Sequence, residues 1–383
     1  MLTIKNAKIY TMVGDTLERG DLILKDGKIQ GVGEDLTPIG KVVDAKGQIL
    51  LPGLIDCHSH IGGMNFSHQR QLDDTNEMTA PLTPEMDMRY GTDTGSPDFE
   101  LAYRSGITTL GLTPGSGNVI CGTVFASKTF GTNIFDMTIK HPVALKVALG
   151  GNPTRTFGSK FQTPATRMSI PSLIRDYLKR GIEYQNLLEE AGKSGKQLPF
   201  DRQLEPLLPV LRREIPLKIH CTQYDMLTAI EIAREFNLKF SIEHAWGATE
   251  YLDELVESGA DIVFGPIGSR HGYGEFHRID IESVVELDQR GVRVALTTDA
   301  PLLAVDALVH HAGEAVRAGL PVEKALEMIT INPARILGVQ DRVGSIEVGK
   351  DADLVLFDAM PALDARAKVQ MTIQDGEIIY QRP

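Results

Sequence analysis

Eight short apolar runs, most followed by a polar or helix-like stretch, constrain this chain more than any other feature. They are LPGLIDCHSH (51–60), GITTLGLTP (106–114), VICGTVFASKT (119–129), PVALKVALG (142–150), PLKIHCTQ (216–223), KFSIEHAWG (239–247), DIVFGPIG (261–268) and VRVALTTDAP (292–301). Their length and β-branched content read as strands buried on both faces. Helical periodicity fills several intervals, as in SLIRDYLKRGIEYQNLLEEAG, YDMLTAIEIAREFN and IESVVELDQRG. Eight strand–helix units within about 250 residues point to the α/β class and to a (β/α)8 TIM barrel. A doubly wound open sheet would want a GxGxxG turn after its first strand, and the chain has none.

The flanks read differently. LTIKNAKIYTM, GDLILKDGKIQGVGE and KVVDAKGQIL alternate apolar and polar residues near the start, and GSIEVGKDADLVLFDA and KVQMTIQDGEIIY do so near the end. DGKI and DGEI are hairpin-turn signals. The expectation is a small β-sandwich built from residues 1–50 and 345–383, with the barrel occupying 51–344. A length of 383 residues suits that division.

Composition excludes several classes. A formal net charge of -12 argues against nucleic acid or an anionic membrane as the main partner. No run approaches the roughly 18 apolar residues of a membrane span. Three cysteines without CxxC spacing fit a reducing cytoplasm better than a disulfide framework. A small-molecule substrate is expected, and a homo-oligomer is the default assembly.

The chemistry gathers at strand ends. His58 and His60 are two apart on one strand, so both imidazoles face one side. An isolated HxH is more often a pair of surface histidines. Here His220 ends PLKI, His244 ends KFSIE and Asp299 ends VALTT. Four of the ten histidines thus close predicted strands one, five and six. Imidazoles and a carboxylate converging on a barrel mouth make a site for one or two divalent ions. Zn is expected first, with Fe, Mn or Ni as alternatives. A metal brings the pKa of bound water to about 7, and Asp299 beside that water is the natural general acid and base.

Lys146 sits among Val, Ala and Leu, where an uncompensated ammonium is costly. Carboxylation by CO2 would make it an anion able to bridge two metals. The plain alternatives are pairing with a nearby carboxylate, Asp299 for instance, or pointing outward between helices, and Lys128 is a weaker competitor. Arg155, Arg167 and Arg270 fall in loops expected at the barrel mouth and would suit a substrate carboxylate. His271 and Tyr224 are further pocket candidates. The Gly-rich TPGSGNVICG lacks the GK[ST] of a phosphate-binding loop and reads as tight backbone near the mouth.

The set PGLIDCHSH, ALKVALG, IHC, IEHA and TTDAP, with ITINPARILG and GSIEVGKDADLVLFD, resembles the amidohydrolase superfamily over nearly the whole chain. TPGSGNVICG, LKVALGGNPTR and TPATRM resemble its imidazolonepropionase-related group. The resemblance implies that His58 and His60 bind the more buried ion, shared by Asp299. His220 and His244 would bind a second ion, with carboxylated Lys146 between the two. In mononuclear relatives His58, His60, His220 and Asp299 would serve one ion, and His244 would orient water or substrate. The implied reaction is hydrolysis of an amide or cyclic amide C–N bond. The alternatives are a mononuclear deaminase of an amino-substituted ring and a non-catalytic scaffold with a degenerate site.

Overall fold

The computed structural model describes residues 1–65, 72–268 and 278–383. The first strands are β1 (Leu2–Ile9), β2 (Leu17–Lys25), β3 (Lys28–Gly33), β4 (Lys41–Asp44) and β5 (Ile49–Pro52). The last are β16 (Leu354–Phe357), β17 (Val369–Gln374) and β18 (Glu377–Gln381). Hydrogen bonds join all eight into one sheet, β18-β17-β16-β5-β1-β2-β3, with β4 branching from β1. The two chain ends meet where β5 runs antiparallel to β16, Leu50 opposite Leu356. Ile4, Ile9, Leu22, Leu24, Leu50, Leu354 and Ile373 fill the core of this sheet.

Between these ends lie β6 (Leu54–Ser59), a short pair β7 (Met64–Asn65) and β8 (Leu72–Asp73), then β9 (Ile107–Leu112), β10 (Ile120–Lys128) and β11 (Thr138–Ala148). β12 (Leu217–Cys221), β13 (Phe240–His244), β14 (Asp261–Phe264) and β15 (Val294–Leu296) follow. β6 and β9 to β15 form a second eight-stranded sheet at the eight expected runs. Nearly every residue of these strands is buried, which is why the runs are continuous rather than alternating.

The expectation of eight uniform strand–helix units needs correction. β10 is antiparallel to both β9 and β11. Only residues 113–119 link β9 to β10, too few for the crossover of a dozen or more residues that a parallel return requires. The β10–β11 link holds one helical turn, α2 (Ile134–Met137), after α1 (Pro97–Arg104) has joined β8 to β9. From β11 onward helices separate the strands as expected. They are α3 (Gly151–Gly158), α4 (Ser169–Ser194), α5 (Leu208–Leu211), α6 (Asp225–Glu235), α7 (Leu252–Ser258) and α8 (Glu282–Gln289). α9 (Leu308–Arg317), α10 (Val322–Glu327) and α11 (Ile331–Leu337) then lead to the terminal sheet.

The reversal of β10 sends its last residue, Lys128, to the rim facing that terminal sheet. There its buried ammonium meets Asp351 at 3.0 Å, Asp353 at 2.7 Å and Asp375 at 3.0 Å. Lys128 is thereby removed as a competitor of Lys146. It joins the barrel to the C-terminal strands instead.

β15 and β6 are not laddered, and side chains bridge them. The fully buried Asp56 accepts from Thr297 Oγ1 at 2.6 Å, Thr298 N at 3.0 Å and Thr298 Oγ1 at 2.6 Å. His60 N donates to Ala300 O at 2.6 Å. An Asp56→Ala variant leaves several buried donors unmet, each worth about 1–3 kcal/mol. We expect a loss of roughly 3–5 kcal/mol in thermal or denaturant unfolding, and a change below about 1 kcal/mol would show that Asp56 does not hold the seam.

Candidate metal centre

The barrel mouth is built from the ends of β6, β11, β12, β13 and the segment after β15. Asp56, His58 and His60 alternate inward along β6, as a strand requires. Two other positions break that rule. His244 has φ 75° and Asp299 φ 54°, both left-handed. Such conformations are costly for side-chain-bearing residues and concentrate at functional sites. At His244 the turn brings this ring to the same centre that the preceding Glu243 serves.

Three rings are tied at one nitrogen. His58 Nδ1 lies 2.6 Å from Glu243 Oε2, His60 Nδ1 2.8 Å from Thr113 O, and His244 Nδ1 2.8 Å from Gly265 O. All three partners only accept, so each Nδ1 carries a proton, and a ring in its neutral form keeps its lone pair on Nε2. Those lone pairs point at one place. Asp299 Oδ1 is 3.2 Å from His60 Nε2 and 3.6 Å from His58 Nε2, with no hydrogen-bond donor among the described residues meeting it. Ligand atoms of His58, His244 and Asp299 lie within 4.8 Å of one another. Lone pairs facing lone pairs is an arrangement that a cation resolves, so the donor set fits a divalent ion.

His220 stands one ring further out, its centroid 4.5 Å from that of His244. Its Nδ1 is buried without a hydrogen-bond partner among the described residues, and its Nε2 lies 3.3 Å from Asn152 Nδ2. Burial, then the neighbouring His244, pushes the His220 imidazole well below its ordinary range. Burial and then Lys146 do the same to His58.

Lys146 is fully buried, with Nζ 3.1 Å from His58 Nε2. Among the described residues no carboxylate lies within ion-pair distance of Lys146, and burial at 0% exposure excludes an outward-pointing side chain. Burial brings the ammonium down to about 8.

A cavity of about 290 Å³ opens over this centre, lined by His60, His220, His244 and Asp299 with Met64, Asn76, Met78, Asn152, Arg155 and Leu302 among others. Gly115 and Gly117 form part of its wall, where a Cβ would fall 2.2 and 2.7 Å from Asn76. That is the tight backbone expected of TPGSGNVICG. Arg155 lines this cavity from α3, its Nη2 donating to Asn152 Oδ1 at 3.2 Å. Tyr224 does not line it: its ring is half exposed beneath the Arg167 guanidinium, 5.6 Å away. Arg167 pairs with Asp225 at 3.0 Å. Arg270 and His271 lie outside the described residues.

Several site residues were missed from sequence. Asp56 and Lys218 stand two residues before His58 and His220, so strand alternation carried their signal. Glu243 had none, because alternation places it opposite His244. Asn152 followed a strand with nothing to distinguish it from other loop asparagines.

Known proteins resemble the chain along its whole length. An amidohydrolase family model matches residues 182–379. The crystal structure of an amidohydrolase from Thermotoga maritima MSB8 superposes with a TM-score of 0.96 at 35% identity, covering 100% of both chains. The amidohydrolase tasK of Hapsidospora irregularis is 28% identical over 97% of this chain, and an adenine deaminase of Clostridium perfringens 23% over 100%. The chain spans only 40% and 59% of the lengths of those two relatives. An imidazolonepropionase of Thermoplasma acidophilum is 25% identical, covering 95% of this chain and 90% of its own.

Proposed function

Because the chain belongs to the amidohydrolase family, we propose that it hydrolyses the C–N bond of a small amide or cyclic amide. In this reading residues 51–344 are the catalytic barrel, and 1–50 with 345–383 are its accessory β domain. The observation that carries the proposal is the convergence of His58, His244 and Asp299 within 4.8 Å at the barrel mouth. His58, His60, Lys146, His220, His244 and Asp299 would hold one or two divalent ions, Zn first among them. A bound divalent ion supplies Lewis acidity to water and to the substrate carbonyl.

The chain's own residues supply the rest. Asp299 takes the proton of the attacking water at its carboxylate and returns it to the leaving nitrogen. The hydrogen bonds at Nδ1 of His58, His60 and His244 keep their Nε2 atoms aimed at the centre. The Lys146 amine adds to the carbon of CO2, forming an N–C bond and releasing a proton to solvent. Its buried position without a carboxylate partner among the described residues supports that chemistry, in contrast to Lys128 with three.

Arg155 would hold an anionic group of the substrate. It is the one Arg or Lys lining the cavity among the described residues. Arg155→Met should raise KM about 10- to 100-fold for a carboxylate-bearing amide, the worth of a charge-assisted hydrogen bond. KM for the matching neutral amide should stay unchanged. Equal effects on both substrates would remove Arg155 from this role.

A mononuclear deaminase is the second reading. It is favoured by the compactness of the His58, His244 and Asp299 trio and by the adenine deaminase relative. The test is metal-replete protein assayed on amides, cyclic amides and amino-substituted rings, with metal content counted. Two ions and amide turnover support the first reading. One ion, unmodified Lys146 and ammonia release support the second. No turnover from a fully loaded site contradicts both and returns the scaffold reading. The remaining expectations are a small-molecule substrate, a cytoplasmic setting, no membrane or nucleic-acid partner, and assembly into homo-oligomers. Among the described residues, no helix is long and apolar enough to cross a membrane.

A further inference from the structure

Beneath the candidate ligands lies a second buried charge system. Glu243 is fully buried, with Oε2 2.6 Å from His58 Nδ1 and 2.6 Å from Lys218 Nζ. Ser241 Oγ donates to its other oxygen at 2.5 Å. Lys218 is only 2% exposed. A carboxylate is tolerated in such an interior only when its charge and lone pairs are met: here His58 and Ser241 supply hydrogen bonds, and the Lys218 ammonium faces one oxygen as an ion pair. We infer that Glu243 is a positioning residue. It holds the Nδ1 proton of His58 so that the Nε2 lone pair faces the metal centre, and Lys218 is its fixed counter-charge. The inference rests on reading that centre as a metal site.

Three observations lead there. The first is chemical contrast among the rings. His60 and His244 fix their tautomers with backbone carbonyls, whereas His58 alone uses an ionised side chain. A carboxylate partner makes an imidazole a more basic ligand than a carbonyl does. The second is charge balance. Lys218 and Glu243 cancel, so the anionic charge available to an ion remains with Asp299 and a modified Lys146. The same pairing leaves Lys146, among the described residues, without a carboxylate in ion-pair contact. The third is backbone geometry. Adjacent strand residues face opposite sides, yet Glu243 and His244 both serve the centre, and the left-handed φ of 75° at His244 makes that possible.

Removing Glu243 alone would strand the Lys218 ammonium in the barrel and risk unfolding. The informative variant is therefore Glu243→Leu with Lys218→Met, which removes both charges and leaves apolar side chains of similar bulk. Two measurements decide. Zinc affinity is read by competition with a chromophoric chelator, and the His58 ring nitrogens are read by ¹⁵N NMR of the full chain without metal. The expected result is a 10- to 100-fold rise in the zinc Kd, typical for loss of such a partner. With it should go loss of the protonated Nδ1 signal that the parent protein shows, while cooperative unfolding is kept. Lys218→Met alone should keep that Nδ1 proton. Unchanged zinc affinity in the double variant would overturn the inference, as would a parent His58 protonated on Nε2. Should the parent protein bind no zinc, the metal reading falls. An Nδ1 proton present in the parent and lost in the double variant would still support the positioning role.

Discussion

Asp299→Asn should lower kcat by about 10²- to 10⁴-fold, the usual worth of a positioned general acid and base. The substitution preserves the backbone and shape at this position but also removes the anionic charge of a candidate ligand, so zinc content must be read beside kcat. Asparagine matches aspartate in shape and is among the residues best tolerated in the left-handed conformation that position 299 adopts. What changes is the chemistry at one atom. Asp299 Oδ1 is buried with no hydrogen-bond donor among the described residues, facing the Nε2 atoms of His58 and His60. A neutral amide cannot take a proton there. The check is kcat beside zinc content and unfolding midpoint. A variant that keeps full turnover would show that another group moves the proton.

Lys146→Met should cost at least about 10²-fold in turnover, comparable with misplacing a reacting group. The variant keeps the volume of the stem and removes the amine. Burial brings the Lys146 ammonium down to about 8, so near pH 8 about half the amine is neutral, against well under 1% for an ordinary lysine. Only the neutral amine adds to CO2. The parent protein should therefore lose activity and bound metal on exhaustive removal of CO2 at mildly acidic pH, and recover both with bicarbonate. Lys146→Met should lose that dependence and regain part of its activity with a small added carboxylate that occupies the vacated space. A variant with parent-like turnover, metal count and bicarbonate response would rule out the carbamate.

All eight barrel strands could be read directly, because strands buried on both faces leave uninterrupted apolar runs. The direction of β10 was harder. Its evidence was the short link 113–119, a spacing argument, while the apolar run itself looked like its neighbours. The candidate ligands could be read because His58, His60, His220, His244 and Asp299 each close a run. Their partners could not. Glu243 pairs with His58 across the lumen, 185 residues away in sequence, and reaches it beside a left-handed residue that periodicity does not reveal. Lys128 and Lys146 looked alike as lysines in apolar strands. Only the reversal of β10, which carries Lys128 to the opposite rim and its three aspartates, separates them.

The central claim is that the lone pairs converging at the barrel mouth hold a divalent ion. The most direct measurement is anomalous diffraction at the zinc absorption edge, from crystals grown with zinc and bicarbonate. A strong peak is expected about 2.0–2.2 Å from Nε2 of His58 and His60 and from an Asp299 oxygen. A second peak between His220 and His244 should accompany density for one added CO2 on Lys146. Zinc absent from the mouth at saturating concentration, or bound only elsewhere on the molecule, would contradict the claim.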